Sequence, residues 1–248
     1  MYILGNWKNI LDAESSTHLA KQIAADINSL YRNIEIVLFP GDISLLEVAS
    51  IFESSPIVKI GAQDGPLGET GSLTGSISAS NLVRYCDYVL LGHSERRTNL
   101  GETDEMVARK AAIASDLGLI PVICVSKGEM SDTDPYLGIK SQLEAIPSSI
   151  LNQGKVLIAY EPIDSIGTGI AADPKNVQEA TQAIRKVISG LEPTANVPVL
   201  YGGSVNSGNT ISYLSIEGID GVLVGGASLE ADSFISIVEK ASHIEHSQ

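Results

Sequence analysis

The sequence predicts an α/β protein, a single-domain (β/α)8 barrel covering residues 1–248. Eight short, β-rich apolar runs recur along the chain, one for every 31 residues or about that, which is the spacing of eight strand–helix units. The runs are continuous rather than alternately apolar and polar, as parallel strands covered on both faces should be. Helical patterns fall between them.

Tyr2–Gly5 opens the series and is followed by a helical pattern over Ser15–Leu30. Ile34–Phe39, Val58–Ala62 and Tyr88–Leu91 supply the next three strands, and Glu102–Leu117 reads as helix. Ile120–Val125 and Val156–Tyr160 come next. Pro174–Leu191 is the clearest helix. Asp173 suits an N-cap, Pro174 suits the first helical position, and Val177, Ala180, Ile184, Val187 and Ile188 form an apolar stripe at helical spacing. Val197–Tyr201 and Gly221–Val224 complete the eight strands, and Ala231–Ala241 follows as helix. A doubly wound open sheet is the alternative, but no G-x-G-x-x-G follows a strand.

Pro, Gly and Ser are scattered at turns, so no linker divides the chain. A strand begins at Tyr2, which argues against a signal peptide, and no apolar run approaches the ~20 residues that span a bilayer. Net charge is −14, from 16 basic and 30 acidic residues. That balance argues against nucleic acid as a partner, which needs a basic face. A small anionic metabolite stays compatible if a local cation and backbone N–H groups oppose the global charge. Cys86 and Cys124 lie far apart in apolar settings and read as free structural thiols in a reducing, cytoplasmic compartment.

Polar groups gather where strands end. Val156 to Tyr160 delivers Glu161, and Ile166-Gly167-Thr168-Gly169 follows at once, so a carboxylate and a glycine-rich mobile loop meet. An isolated Glu-Pro pair more often caps a turn. Here Ile166 and Leu223 offer apolar walls that would desolvate the carboxylate and strengthen it as a base. Val89 to Gly92 delivers His93, Ser94, Glu95, Arg96 and Arg97. A lone His after a strand is usually a packed core residue; the polar run after it makes a catalytic role the better reading. Asn6 and Lys8 sit at alternate positions after Tyr2-Ile3-Leu4 and share one side of the strand. Lys8 needs a carboxylate or an anion, and a rim salt bridge with Glu95 alone would look the same in sequence. Gly202-Gly203-Ser204 and Gly225-Gly226 follow the last two strands, where barrels of this kind hold phosphate on backbone N–H groups. His18 falls in a helix. His243 and His246 have a spacing a metal uses, but a solvated tail is the commoner meaning. With no Walker loop, zinc spacing or Rossmann fingerprint, neither a metal nor a cofactor is expected.

These segments, with Tyr201-Gly202-Gly203-Ser204-Val205 and Leu223-Val224-Gly225-Gly226-Ala227-Ser228, resemble the triosephosphate isomerase family from Tyr2 to about Leu229. Each motif alone is modestly specific; five in order and spacing are very specific. The resemblance implies a TIM barrel that interconverts dihydroxyacetone phosphate and D-glyceraldehyde 3-phosphate through an enediolate. It implies Glu161 as the base that moves the proton, and His93 as a neutral electrophile at the carbonyl oxygen. Asn6, Lys8 and Glu95 would complete the catalytic set, with Glu95 steadying Lys8 and Ser94 accepting or releasing Glu161. Lys8 and the N–H groups of Gly167, Ser204, Gly225 and Gly226 would bind the phosphate. Pro162-Ile163-Asp164-Ser165-Ile166-Gly167-Thr168-Gly169-Ile170-Ala171-Ala172 would form the lid. A homodimer through the loop from Gly65 to Ser78 is implied too, with Thr74 approaching the partner's Asn6. An isomerase of a longer ketose phosphate and a non-catalytic phosphate-binding barrel are the rival readings. The second predicts loss of a catalytic residue, yet Lys8, His93, Glu95 and Glu161 are all present.

Three positions depart from the family pattern. Asp164 stands where the lid hinge usually carries Trp, and Cys124-Val125-Ser126-Lys127 replaces Cys-x-Gly-Glu after strand five. The usual Trp bonds that Glu when the lid is closed, so donor and acceptor have exchanged sides. The dimer loop reads Thr74-Gly75-Ser76 rather than Thr-Gly-Glu, which leaves Arg96 without its expected carboxylate across the interface.

Overall fold

A computed structural model describes residues 1–27, 31, 33–68, 74–127, 136–162 and 171–244. Strands β1 (Tyr2–Asn6), β2 (Glu35–Phe39), β3 (Val58–Ala62), β4 (Tyr88–Leu91), β5 (Ile120–Val125), β6 (Leu157–Tyr160), β7 (Val199–Tyr201) and β8 (Gly221–Val224) form a closed barrel in chain order. Every neighbour is parallel, and β8 returns to β1 with Leu4 opposite Leu223. Side chains alternate about each strand. Leu4, Val37, Phe39, Leu90, Val122, Leu157, Leu200 and Leu223 fill the barrel interior. Their neighbours Ile3, Ile36, Leu38, Leu91, Ile123, Ile158, Val199 and Val224 pack under the helices. Both faces are therefore buried, which is why the runs show no polar alternation.

The helices are α1 (Ala13–Asp26), α2 (Leu45–Phe52), α3 (Ala79–Leu82), α4 (Ser94–Leu100), α5 (Asp104–Asp116), α6 (Leu137–Glu144), α7 (Ser148–Asn152), α8 (Pro174–Leu191), α9 (Thr210–Leu214) and α10 (Ala231–Ser242). Caps set the starts that apolar periodicity could not. Asp12 accepts from the N–H of Ser15 at 2.7 Å, so α1 begins before Ser15; Leu30 lies outside the described residues. Thr103 caps α5, which leaves Glu102 before the helix rather than inside it. Asp173 caps α8 as expected, with Pro174 at its first position. Val177, Ala180, Ile184 and Ile188 of the α8 stripe are buried, and Val187 is half-buried. Pro198 has no N–H to give a ladder, and β7 starts after it at Val199, not at Val197. No helix among the described residues is long and apolar enough to cross a membrane.

Candidate active site

The C-terminal ends of β1, β4, β6, β7 and β8 open on one cavity of about 390 Å³, lined by Asn6, Lys8, His93, Glu161, Ser204, Leu223, Gly225 and Gly226 among others. Parallel strands in a closed barrel point every C-terminus the same way, so residues scattered over 220 positions of sequence meet there.

Lys8 follows β1 with φ +52°, the one positive value among described residues other than glycine. Its backbone is tied on both sides. The N–H donates to Asn6 Oδ1 at 3.0 Å, and the C=O accepts from Gln63 Nε2 at 2.7 Å. Gln63 also donates to Phe39 O at 3.0 Å and so locks the Lys8 turn to the end of β2. Sequence reading missed Gln63, because nothing local marks an amide that bridges two distant carbonyls. The Lys8 ammonium lies 2.6 Å from Glu95 Oε1, as the expected pair requires.

His93 caps α4 and accepts the Glu95 N–H at Nδ1, 3.3 Å away. A backbone N–H can only donate, so Nδ1 carries a lone pair and the ring proton sits on Nε2. That proton faces Glu161 Oε1 at 3.0 Å. Glu161 is 2% exposed, and its Oε2 accepts from the N–H of Ser94 at 2.8 Å. It is thus the Ser94 amide, not the hydroxyl, that holds the carboxylate; the Ser94 Oγ is buried with no hydrogen-bond partner among the described residues. Gly92, directly before His93, has φ +70° and is gripped from both sides. Its N–H donates to Glu102 Oε2 at 3.1 Å, and its C=O accepts from Arg97 Nε at 2.7 Å. Both clamps fix the chain direction that aims the imidazole.

Cys124 points into the barrel interior below Glu161. Burial, and then the Glu161 charge, push its thiol well above the usual range, so it is an inert packing group. The glycines divide by role. A side chain on Gly202 would press on Glu161 Cγ at 3.3 Å, and one on Gly203 would collide with the Tyr201 phenol. Gly226 has open space where a side chain would be, and Gly225 meets only the end of Lys8 at 3.7 Å. Gly225 and Gly226 therefore expose backbone to the cavity, while Gly202 and Gly203 are small because side chains cross them.

Asn6, Lys8, His93, Glu95, Glu161, Ser204, Gly225 and Gly226 are brought together. Of the expected lid, Pro162, Ala171 and Ala172 are described, whereas 163–170, with Asp164, Ile166 and Gly167, lie outside the described residues, as do 69–73 of the expected dimer loop and His246. Arg96, expected to lack its usual carboxylate across the dimer interface, has carboxylates of its own chain: Asp64 Oδ2 at 2.5 Å and Glu102 Oε2 at 3.5 Å.

A family model described as Triosephosphate isomerase matches residues 1–241. A triosephosphate isomerase of Dehalococcoides mccartyi (strain CBDB1) is 40% identical to this chain over 98% of it and 97% of the relative. One from Rhodopirellula baltica is 38% identical over 96% of each chain, and one from Leifsonia xyli subsp. xyli is 36% identical over 98% of this chain and 97% of its own.

Proposed function

The chain belongs to the triosephosphate isomerase family, and from that premise we propose how its own side chains carry the reaction. It is an aldose–ketose isomerase that interconverts dihydroxyacetone phosphate and D-glyceraldehyde 3-phosphate, a step of glycolysis and gluconeogenesis.

Glu161 takes a proton from the carbon beside the substrate carbonyl and returns it to the neighbouring carbon. His93, as a neutral imidazole, donates its Nε2 proton toward the carbonyl oxygen as negative charge builds there. Lys8, held by Glu95, supplies the cation facing the developing anion and the phosphate. Asn6 fixes the Lys8 turn. The amides of Ser204, Gly225 and Gly226, with that of Gly167, receive the phosphate. Residues 162–172 close over the site as a lid. Exclusion of water strengthens these electrostatics and protects an enediolate that would otherwise expel its phosphate. The observation that carries the reading is the meeting of Glu161 and His93, 3.0 Å apart, in a cavity flanked by Lys8 and by bare glycine backbone.

A homodimer in the cytoplasm completes the proposal. Ile10, Ile43, Leu46 and Leu100 are all more than half exposed, Ile43 at 90%, and they follow β1, β2 and β4, one side of the barrel mouth. Grouped apolar exposure of this kind is normally covered. A second cavity, about 260 Å³, lies beside the first between Lys8, Gln63, Glu95, Asn99 and Leu100. It offers room for Thr74 of a second copy, whose tip from 74 to 77 is exposed.

Assays on the purified chain with triose and tetrulose phosphates test the function directly. Faster turnover of the triose is expected. Preference for the longer ketose would favour the rival isomerase, and phosphate binding without turnover would favour a non-catalytic barrel.

A further inference from the structure

An anion held on backbone must meet N–H groups and not carbonyls, so a phosphate turn works only if its carbonyls are turned aside and kept there. In the turn after β7 the carbonyls are held by donors of the chain itself. The Gly203 C=O accepts from the N–H of Val205 at 2.8 Å, which closes a tight ring about Ser204. The Ser204 C=O accepts from Asn209 Nδ2 at 2.9 Å. The Asn206 C=O accepts from the Thr210 hydroxyl at 2.6 Å, and the Ser207 C=O from Lys240 Nζ at 2.6 Å. Asn209 acts at a second point, since its Oδ1 accepts from the N–H of Asn206 at 2.8 Å. Both partners are backbone groups, which fixes the sense of the amide. One side chain thus grips the peptides on either side of Val205, and Val205 is itself buried, 5% exposed. Ser204, Val205 and Asn206 line the catalytic cavity; Asn209 is half-buried behind them and does not.

We propose that Asn209 is a positioning residue for the substrate phosphate: it sets the direction of the Ser204 amide without touching the substrate. This deepens the reading of that amide as a phosphate donor and rests on it. The C=O and N–H of one trans peptide point in opposite directions. The peptide between Ser204 and Val205 is held at both groups, by Asn209 at its carbonyl and by the Gly203 C=O at its N–H. The Gly203 carbonyl is tied in turn. The Ser204 N–H shares a peptide with that carbonyl, so it is directed the opposite way. Without the Asn209 donor, the Ser204 carbonyl turns to solvent for a partner. The cavity that Ser204 lines is the solvent at hand, and there a carbonyl meets the phosphate with the wrong sign.

Inorganic phosphate, as a competitive inhibitor, is the probe, and D-glyceraldehyde is a substrate that lacks the phosphate. Asn209→Leu keeps the approximate volume and removes both hydrogen bonds. The inhibition constant for inorganic phosphate should rise about threefold to tenfold, as for one or two lost neutral hydrogen bonds. The ratio of kcat/KM for glyceraldehyde 3-phosphate to that for D-glyceraldehyde should fall by a similar factor. Neither quantity depends on the fraction of the sample that is folded, and Asn209→Ala replaces the leucine variant if that one does not fold. Thr210→Val is the control: it frees the Asn206 carbonyl of the same turn and leaves the Ser204 peptide alone. It should lower the melting temperature and change neither quantity. Changes in both quantities for the Asn209 variant, with neither in the control, support the proposal. Equal changes in the control, or an unchanged substrate ratio in the Asn209 variant, reduce Asn209 to a structural residue and overturn it. Lys8→Ala tests the site itself. A raised inhibition constant in Lys8→Ala alone overturns the role of Asn209 and keeps the phosphate site. An unchanged constant in both removes the phosphate reading of this cavity, and this proposal with it.

Discussion

Asp64 Oδ2 stands 2.5 Å from Arg96 Nη2 within the same chain. Arg96 was expected to lack its usual carboxylate across the dimer interface, because Ser76 occupies the place where the family usually has Glu. Asp64 supplies the charge in cis. It also accepts from Lys110 Nζ at 2.7 Å, and Lys110 is paired with Glu102 as well. Two cations and two carboxylates thus share a mostly buried cluster at the base of α4. Desolvation raises the Asp64 carboxyl above its usual range in spite of Lys110 and Arg96, so the cluster holds a charge that water would stabilise better. Removal of one member strands the others.

Asp64→Asn should therefore destabilise the protein by about 1–3 kcal/mol, because an Arg and a Lys then compete for Glu102 alone. Ser76→Glu added to that variant should recover part of the loss, but only in the dimer, where the partner's loop brings a carboxylate to Arg96. Denaturant midpoints measured over a range of protein concentrations check this. Equal recovery at all concentrations would remove the exchange of a trans carboxylate for a cis one.

Glu161→Ala should lower kcat by about a hundred- to ten-thousand-fold with the fold retained, since the base acts in the transition state. Glu161→Gln keeps an acceptor for the Ser94 amide and should lose as much activity with less loss of stability. Lys8→Ala should instead raise KM as well as lower kcat, because the ammonium faces both the phosphate and the developing anion. Circular dichroism with full kinetics separates the cases. Near-normal turnover by either Glu161 variant would remove the assignment of the base.

Burial pushes the Cys86 thiol up to about 12 and raises Cys124 too. A thiol reagent at neutral pH should find neither of the two cysteines in the native protein and both after unfolding. The linkage has a definite sign. Because the folded-state value lies above that of the free thiol, this stabilisation is complete below about pH 9 and is lost as pH rises toward about 12. Tyr88 and Tyr201 shift the same way through desolvation and add to the alkaline loss. Cys86→Ala should flatten the fall of the urea midpoint above about pH 9. An unaltered slope would mean that Cys86 is not part of that transition.

What the sequence revealed follows from locality. Strands buried on both faces leave an unbroken apolar run, so all eight were visible, with errors of one or two residues where Pro198 or a terminal ladder bond sets the edge. Glu161, His93 and Lys8 were visible because each ends such a run. Gln63, Glu102 and Tyr213 were not. Each acts on a backbone group outside its own element, where no local pattern points: Gln63 on Lys8, Glu102 on Gly92 ten residues before it, Tyr213 on Ala172. Glu102 was read as part of a helix because its periodicity fits one, and only the Thr103 cap places it outside. Gly203 was read as a phosphate glycine, yet the Tyr201 ring is what forbids a side chain there.

Lys127 Nζ lies 4.8 Å from the centroid of the Tyr136 ring, close enough for a cation–π contact at the end of β5. Asp164, its expected partner, lies outside the described residues. The exchange of donor and acceptor between positions 127 and 164 leads to a specific expectation. Lys127 should pair with Asp164 when the lid is closed and rest on Tyr136 otherwise. An exposed ion pair contributes only ~0–1 kcal/mol, and a cation–π contact at a surface about as much, so neither partner holds Lys127 outright. Asp covers far less apolar surface than Trp, and the hinge should be looser for it. Asp164→Asn and Lys127→Met should each change kcat/KM for glyceraldehyde 3-phosphate by about twofold to fivefold. Together they should change it by less than the product of the two, because either substitution alone already breaks the pair. Tyr136→Leu should act in the opposite direction, since it frees Lys127 for Asp164. Additive effects in the double variant, or a closed-lid structure in which the two side chains point apart, would show that the substitutions at these positions arose independently.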